Sequence, residues 1–238
     1  MLEATGIAVS FGRHRVLDGV TLSVRPGEVL GLAGPSGCGK STLARVLALL
    51  LRPSAGAVAI DGRAVRGWRH RAPQRTSIGL IFQQPRLAVD PRFTLLDVIA
   101  EPLRATRRPV DRAYRLAEEL GLTSELHGRR PHEVSDGQLQ RACVARALAL
   151  EPRYLICDEM TTMLDASTQA HLVHRIEAYR ERTGAGVLAI SHDAELLDRW
   201  TGGNVREWDG GGTRKREGGA REQDGGAETR SPSALDRH

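Results

Sequence analysis

Short apolar runs of strand length alternate along this chain with longer stretches whose apolar positions recur at helical spacing. That pattern predicts an α/β protein with a mostly parallel central sheet. Residues 28–34 (EVLGLAG) read as a buried strand entering a glycine-rich turn, and 41–51 (STLARVLALLL) as the helix that follows. Residues 77–82, 153–158 and 186–191 are further apolar runs, as expected of strands covered on both faces. Between the last two, Leu172, Val173, Ile176 and Tyr179 fall on one face of a helix. The opening stretch 6–28 looks instead like short antiparallel strands joined by turns. After Phe82 the character changes: 94–122 is mostly helical, with Pro102 and Pro109 expected to break it. A helical subdomain of about 90–150, inserted between sheet strands, follows from this order.

The last stretch departs from the rest. Residues 210–238 are rich in Gly, Arg and Glu, and beyond alanine their only aliphatic residue is Leu235. Such a segment buries too little apolar surface to offset its ordering entropy, so it is expected to be a disordered tail after a domain spanning 1–209. The preceding GGNVREWDGGG resembles a remnant of closing strands, which predicts a short or missing final hairpin.

Composition narrows the function classes. Hydrophobic residues make up 40% of the 238 and charged residues 26%, ordinary for a soluble globular chain. No run approaches the roughly 18 apolar residues of a membrane span, and no signal pattern opens the chain, so it is expected to stay in the cytoplasm. The net charge of +5 and the arginine-rich stretch 63–75 raise nucleic-acid binding as one reading. A solvated basic surface is the other, and with aromatics at only 4% there is little to stack bases on. Cys38, Cys143 and Cys157 show no disulfide or Cys-x-x-Cys spacing. His171 and His174 stand i, i+3 on a helix without a third ligand nearby, which suits a solvated face better than a metal site.

The chemistry lies in two motifs. Gly34-Pro35-Ser36-Gly37-Cys38-Gly39-Lys40-Ser41 fits G-x-x-x-x-G-K-[ST]. The glycines let backbone N–H groups converge on phosphate oxygens, and the helix that begins here adds its dipole. Lys40 is positioned for the β- and γ-phosphates, and the Ser41 hydroxyl, with Thr42 beside it, for Mg²⁺. In YLICDE the apolar strand delivers Asp158 to its carboxyl end, where α/β sheets bind ligands. Asp158 is expected to hold the metal through water, and Glu159 to orient or deprotonate the attacking water.

Together with VSDGQLQRACVARALALEP at 134–152, these motifs resemble the ATP-binding subunits of ABC transporters, a likeness that extends over about 2–205. Val134-Ser135-Asp136-Gly137-Gln138 occupies the place of that family's LSGGQ-type signature. The resemblance implies a P-loop NTPase fold binding ATP and Mg²⁺. Further roles follow from it: Phe11 would stack on adenine, Gln83 would sense the metal and attacking water, Asp165 matches the D-loop, and His192 would contact the γ-phosphate. Ser135, Gly137 and Gln138 would serve a nucleotide held on an opposing subunit. Asp136 replaces a usual glycine, while Met160 and Met163 replace a proline and a small residue near the D-loop.

The segments IFQQPRLAVDPRFTLLDVIAEPL and PHEVSDGQLQRACVARALALEP are most similar to the importer branch for oligopeptides, dipeptides and nickel. That likeness implies transmembrane permease subunits as partners, docked on about 85–94. It also implies a second ATPase subunit, in a heterodimer or alternatively a homodimer, and a periplasmic or lipid-anchored solute-binding protein acting indirectly. The chain would sit peripherally on the cytoplasmic face of a bacterial membrane and drive import of peptides, nickel or a related solute. No nucleic acid is expected. A soluble ABC ATPase acting on nucleic acid or ribosomes, and a weakly active regulatory subunit, are the rival readings.

Overall fold

A computed structural model describes residues 1–68, 73–160, 164–208 and 213–215. The chain opens with two long strands, β1 (Leu2–Phe11) and β2 (His14–Val24), paired antiparallel through a tight turn. Together with β4 (Ala55–Ile60) and β5 (Arg63–Ala64) they form a four-stranded sheet in the order β2-β1-β4-β5. The second sheet has six strands. In the order β10-β9-β3-β8-β7-β6 these are Thr213–Lys215, Val205–Trp208, Val29–Ala33, Gly186–Ser191, Tyr154–Asp158 and Ile78–Ile81. All its neighbours run parallel except β10 on β9.

Alternation along β7 explains why the central strands read as unbroken apolar runs. Leu155 and Cys157 pack into a core shared with the helices α3 (Leu95–Ala105), α4 (Asp111–Glu119), α6 (Asp136–Leu148) and α7 (Ala166–Thr183). Tyr154 and Ile156 point the other way, into a core shared with β1, β2, β4 and helix α1 (Lys40–Leu47). Two short helices, α2 (Pro85–Ala88) and α5 (Ser124–His127), complete the helical segment, and α8 (Ala194–Thr201) leads into β9.

Three expectations are corrected. Pro102 does not break its helix: it lies inside α3, which continues to Ala105. The helix needs only one more turn there, and its face of Leu95, Val98, Ile99, Ala100 and Leu103 is buried, so packing outweighs the lost backbone bond. The helix expected over 41–51 ends at Leu47, because Leu49 turns left-handed (φ 59°) and the Leu50 and Leu51 amides fold back on the Arg45 carbonyl. The third concerns the tail: Thr213, Arg214 and Lys215 pair with Trp208, Glu207 and Arg206 in a hairpin as short as expected, yet inside the stretch expected to be disordered. The remainder of that tail, part of the 63–75 arginine-rich stretch and Met163 lie outside the described residues.

Candidate functional site

The loop between β3 and α1 turns through two left-handed glycines, Gly37 (φ 80°) and Gly39 (φ 103°), the second being the N-cap of α1. A side chain at position 39 would also strike Leu17 and Val16 of β2. That contact seats the loop against the first hairpin, whose turn carries Phe11, paired with His14 and 54% exposed. An aromatic so exposed is not a core residue. It is a flat apolar face at a sheet margin. Pro35, Ser36 and Gly37 are exposed, Gly34 and Cys38 half-buried, Ser41 and Thr42 half-buried at the helix start.

Beneath the loop the charged groups converge. The Lys40 ammonium is buried and donates to the carbonyls of Gly34 (2.7 Å) and Pro35 (2.8 Å). It lies 3.5 Å from Glu159 Oε1. Gln83 Nε2 donates to Glu159 Oε2 at 2.8 Å, and His192 Nδ1 lies 3.5 Å from the same oxygen. The Glu159 carboxylate, only 7% exposed, is thus approached by an ammonium, an amide and an imidazole from three separate segments. Its backbone is left-handed (φ 46°) and its N–H bonds the Ile190 carbonyl at 3.0 Å, holding the side chain where β7 and β8 end. A non-glycine residue held there is strained, and such strain concentrates at functional sites.

One residue earlier, Asp158 accepts from the Ser41 hydroxyl at 3.1 Å. Burial chiefly pushes its carboxyl above the usual range and the adjacent Glu159 adds to this, while the Ser41 hydroxyl, Arg45 and Lys40 oppose it. The Asp158 carboxylate, the Ser41 hydroxyl and the Gln83 amide oxygen offer a hard, all-oxygen donor set. Such a set fits Mg²⁺ rather than a soft metal, and the cation would relieve the desolvation of Asp158.

The 135–138 turn is built differently. Ser135 is the N-cap of α6: its hydroxyl accepts from the Gln138 N–H (3.2 Å), and the Gln138 side chain accepts from the Ser135 N–H (3.0 Å). Gly137 stands behind it on the first turn, with Leu164 and Thr168 at ordinary contact distance from any added Cβ. Asp136 accepts from Arg86 Nε at 2.7 Å. Among the described residues none of these bonds reaches the 34–42 loop of the same chain. Asp165 likewise serves locally, capping α7 through the Thr168 N–H (2.9 Å) and hydroxyl. Hydrogen bonds from Thr168 hold its carboxyl below the usual range.

Two residues of the site carried no signal in the sequence. Trp208, fully buried on β9, donates from its indole to the Cys38 carbonyl at 2.7 Å, and its own carbonyl lies where a Cβ on Gly34 would be. It clamps the 34–42 loop from behind. The stretch around it read only as a remnant of closing strands ahead of a glycine run, with nothing to single out the tryptophan. Arg86 is the other, and its partners lie some fifty positions away.

The cysteines differ sharply in accessibility. Burial pushes the Cys143 thiol up to about 12 and the Cys157 thiol higher still, whereas Cys38 is half-buried in the loop. Native protein treated with a maleimide is therefore expected to gain one adduct, at Cys38, by intact and peptide mass. ATP should slow that labelling, and adducts at Cys143 or Cys157 in folded protein would contradict this burial.

Comparison with known proteins places this geometry. A family model described as ABC transporter matches residues 17–162, more than half of the chain. The oligopeptide transport ATP-binding protein OppF of Salmonella typhimurium is 42% identical over 194 residues, covering 77% of this chain and 57% of that protein. The nickel import ATP-binding protein NikE of Pseudomonas putida is 42% identical over 202 residues, covering 81% and 73%. The chain thus spans little more than half the length of OppF. Among solved structures, the ATP-binding cassette MJ0796, dimeric in a post-hydrolysis state with ADP and Pi bound, superposes with a TM-score of 0.82 at 26% identity. That match covers 91% of this chain and 98% of the other.

Proposed function

The chain belongs to the ABC transporter family, and on that premise we propose that it is the ATP-hydrolysing subunit of a bacterial importer for peptides, nickel or a related small solute. The observation that carries the reading is the buried Glu159 carboxylate, met by Lys40, Gln83 and His192. A carboxylate so held is a base aimed at one point in space, and phosphoryl transfer needs little else beyond charge and alignment.

In this reading the adenine stacks on Phe11, and the triphosphate lies along 34–42 with its charge met by loop N–H groups, the α1 N-terminus and Lys40. Ser41, Gln83 and, through water, Asp158 would hold Mg²⁺, which supplies charge neutralisation on the phosphate oxygens. Glu159 accepts a proton from water as the water oxygen bonds to the γ-phosphorus. The bond to the β–γ bridging oxygen breaks, leaving ADP and inorganic phosphate. His192, half-exposed above Glu159, donates to a γ-phosphate oxygen, and Gln83 orients the water. Ser135, Gly137 and Gln138 close over a nucleotide held on an opposing ATPase, which explains why their own loop is out of reach. Binding closes the pair and hydrolysis reopens it.

Among the described residues no helix is long and apolar enough to cross a membrane, so transport requires permease partners. A groove of about 680 Å³, walled by Leu80, Phe82, Leu87, Glu101, Cys143 and Arg146 among others, includes the residue just before Gln83. Leu87, at 82% exposure, is the most exposed large hydrophobic residue beside it. We take this groove as the permease dock. Leu87→Glu is expected to reduce permease recovery at least fivefold in pull-downs while shifting the melting temperature by no more than about 2 °C. Undiminished recovery would move the dock elsewhere.

The importer reading itself is tested by purifying the tagged chain from its host's membranes. Co-purification of multi-span permeases with a second ATPase is the expected result. Recovery only from the soluble fraction, with ribosomal or nucleic-acid partners, would overturn transport.

A further inference from the structure

The aspartate in the 135–138 turn raises a problem that the fold answers. A carboxylate at a helix N-terminus suits the helix dipole. Beside a triphosphate it is repelled, and the more strongly where water is excluded. Arg86 resolves the conflict. Its Nε donates to Asp136 Oδ1 (2.7 Å), and its two terminal nitrogens donate to the carbonyls of Pro131 (2.7 Å) and Val134 (3.1 Å). Two of these acceptors lie on the stretch that leads into α6, and the third is its first residue. The guanidinium therefore both cancels the charge and fixes the direction in which the carboxylate points.

Arg86 is also well placed to carry information. It sits on α2, next to the groove-lining Leu87, and the Ala88 carbonyl at the end of α2 accepts from Arg146 of α6 at 2.6 Å. Gln83, Pro85, Asp136, Gln140, Met160 and Leu164 surround one small cavity, so the turn, the glutamine and the end of β7 are packed around a shared point. With Arg86 and Asp136 both nearly half-exposed, the ion pair adds little to folding stability. Its value lies in placement.

We infer that Arg86 is a positioning residue that makes Asp136 compatible with a bound triphosphate and ties the anion-binding turn to α2. The inference rests on the ATPase reading and adds to it a control point: movement of α2 would change the charge that the turn presents to the nucleotide.

A double-mutant cycle on the membrane-purified complex containing the full chain tests it. The readouts are kcat and KM for ATP, together with the melting temperature. Arg86→Gln is expected to lower kcat/KM about tenfold. In an Asp136→Gly background, which restores the family's glycine, the same change is expected to alter kcat/KM less than twofold. Arg86→Lys, which keeps the charge but not the fork, should recover part of the loss. An equal loss in both backgrounds would make Arg86 a mere scaffold for the Pro131 and Val134 carbonyls and overturn the inference, as would no loss in either. If the unmodified complex hydrolyses no ATP, the proposed function fails and this inference falls with it.

Discussion

Glu159→Gln is expected to stop turnover while leaving ATP bound. The amide is isosteric and can occupy the same left-handed backbone, so the loop and sheet should stay folded. It cannot accept a proton from water, and loss of a positioned general base lowers rates by about 10²–10⁴-fold. Binding should move the opposite way. The carboxylate is a negative charge 3.5 Å from Lys40, in the space where the proposed mechanism puts the γ-phosphate. Neutralising it removes repulsion from the triphosphate and frees the ammonium for it. ATP should therefore accumulate on the variant and hold the ATPase subunits together, read as a stable ATP-dependent dimer by light scattering and as turnover reduced at least a hundredfold. Hydrolysis at the parental rate would remove Glu159 from the chemistry.

The legible parts of this protein are those where one constraint acts alone. Residues 153–158 and 186–191 read as buried strands because both faces of the sheet are covered, and no polar alternation confuses the run. The 34–42 loop was legible for a different reason: cradling a phosphate with backbone N–H groups demands glycines at fixed spacing, and two of them do turn left-handed. Pro102 misled because a local steric rule met a buried helix face, and burial won. Glu159 and Gln83 were placed by motif, but their direct 2.8 Å contact is a tertiary fact. Nothing local marked the roles of Arg86 and Trp208. Each acts on a partner brought near only by the fold, 50 and 170 positions away. Asp136 shows the limit most sharply: the sequence reveals the substitution, and only the arginine beside it reveals where the charge points.

Lys40→Ala should produce the opposite phenotype to Glu159→Gln and so separate binding from hydrolysis. Among the described residues Lys40 is the one lysine or arginine within 4 Å of Glu159, and it anchors two loop carbonyls. Its removal takes a full positive charge from the path of the triphosphate and frees the loop from its internal tether. Charge-assisted contacts to phosphate are about twice as strong as neutral ones, so ATP affinity is expected to fall about a hundredfold or more. Hydrolysis and ATP-dependent dimerisation should vanish together. The nucleotide-free protein should also lose stability, since the buried Glu159 carboxylate loses the ammonium that lies 3.5 Å from it. A cost of about 1–3 kcal/mol corresponds to a melting temperature lower by several degrees. Titration with ATP by calorimetry, alongside thermal melting, measures both. Unchanged affinity would mean that the loop N–H groups alone carry the phosphate charge, and Lys40 would then be a structural strut. Lost affinity with an unchanged melting temperature would assign the ammonium wholly to the nucleotide, with the carbonyls of Gly34 and Pro35 as its resting place.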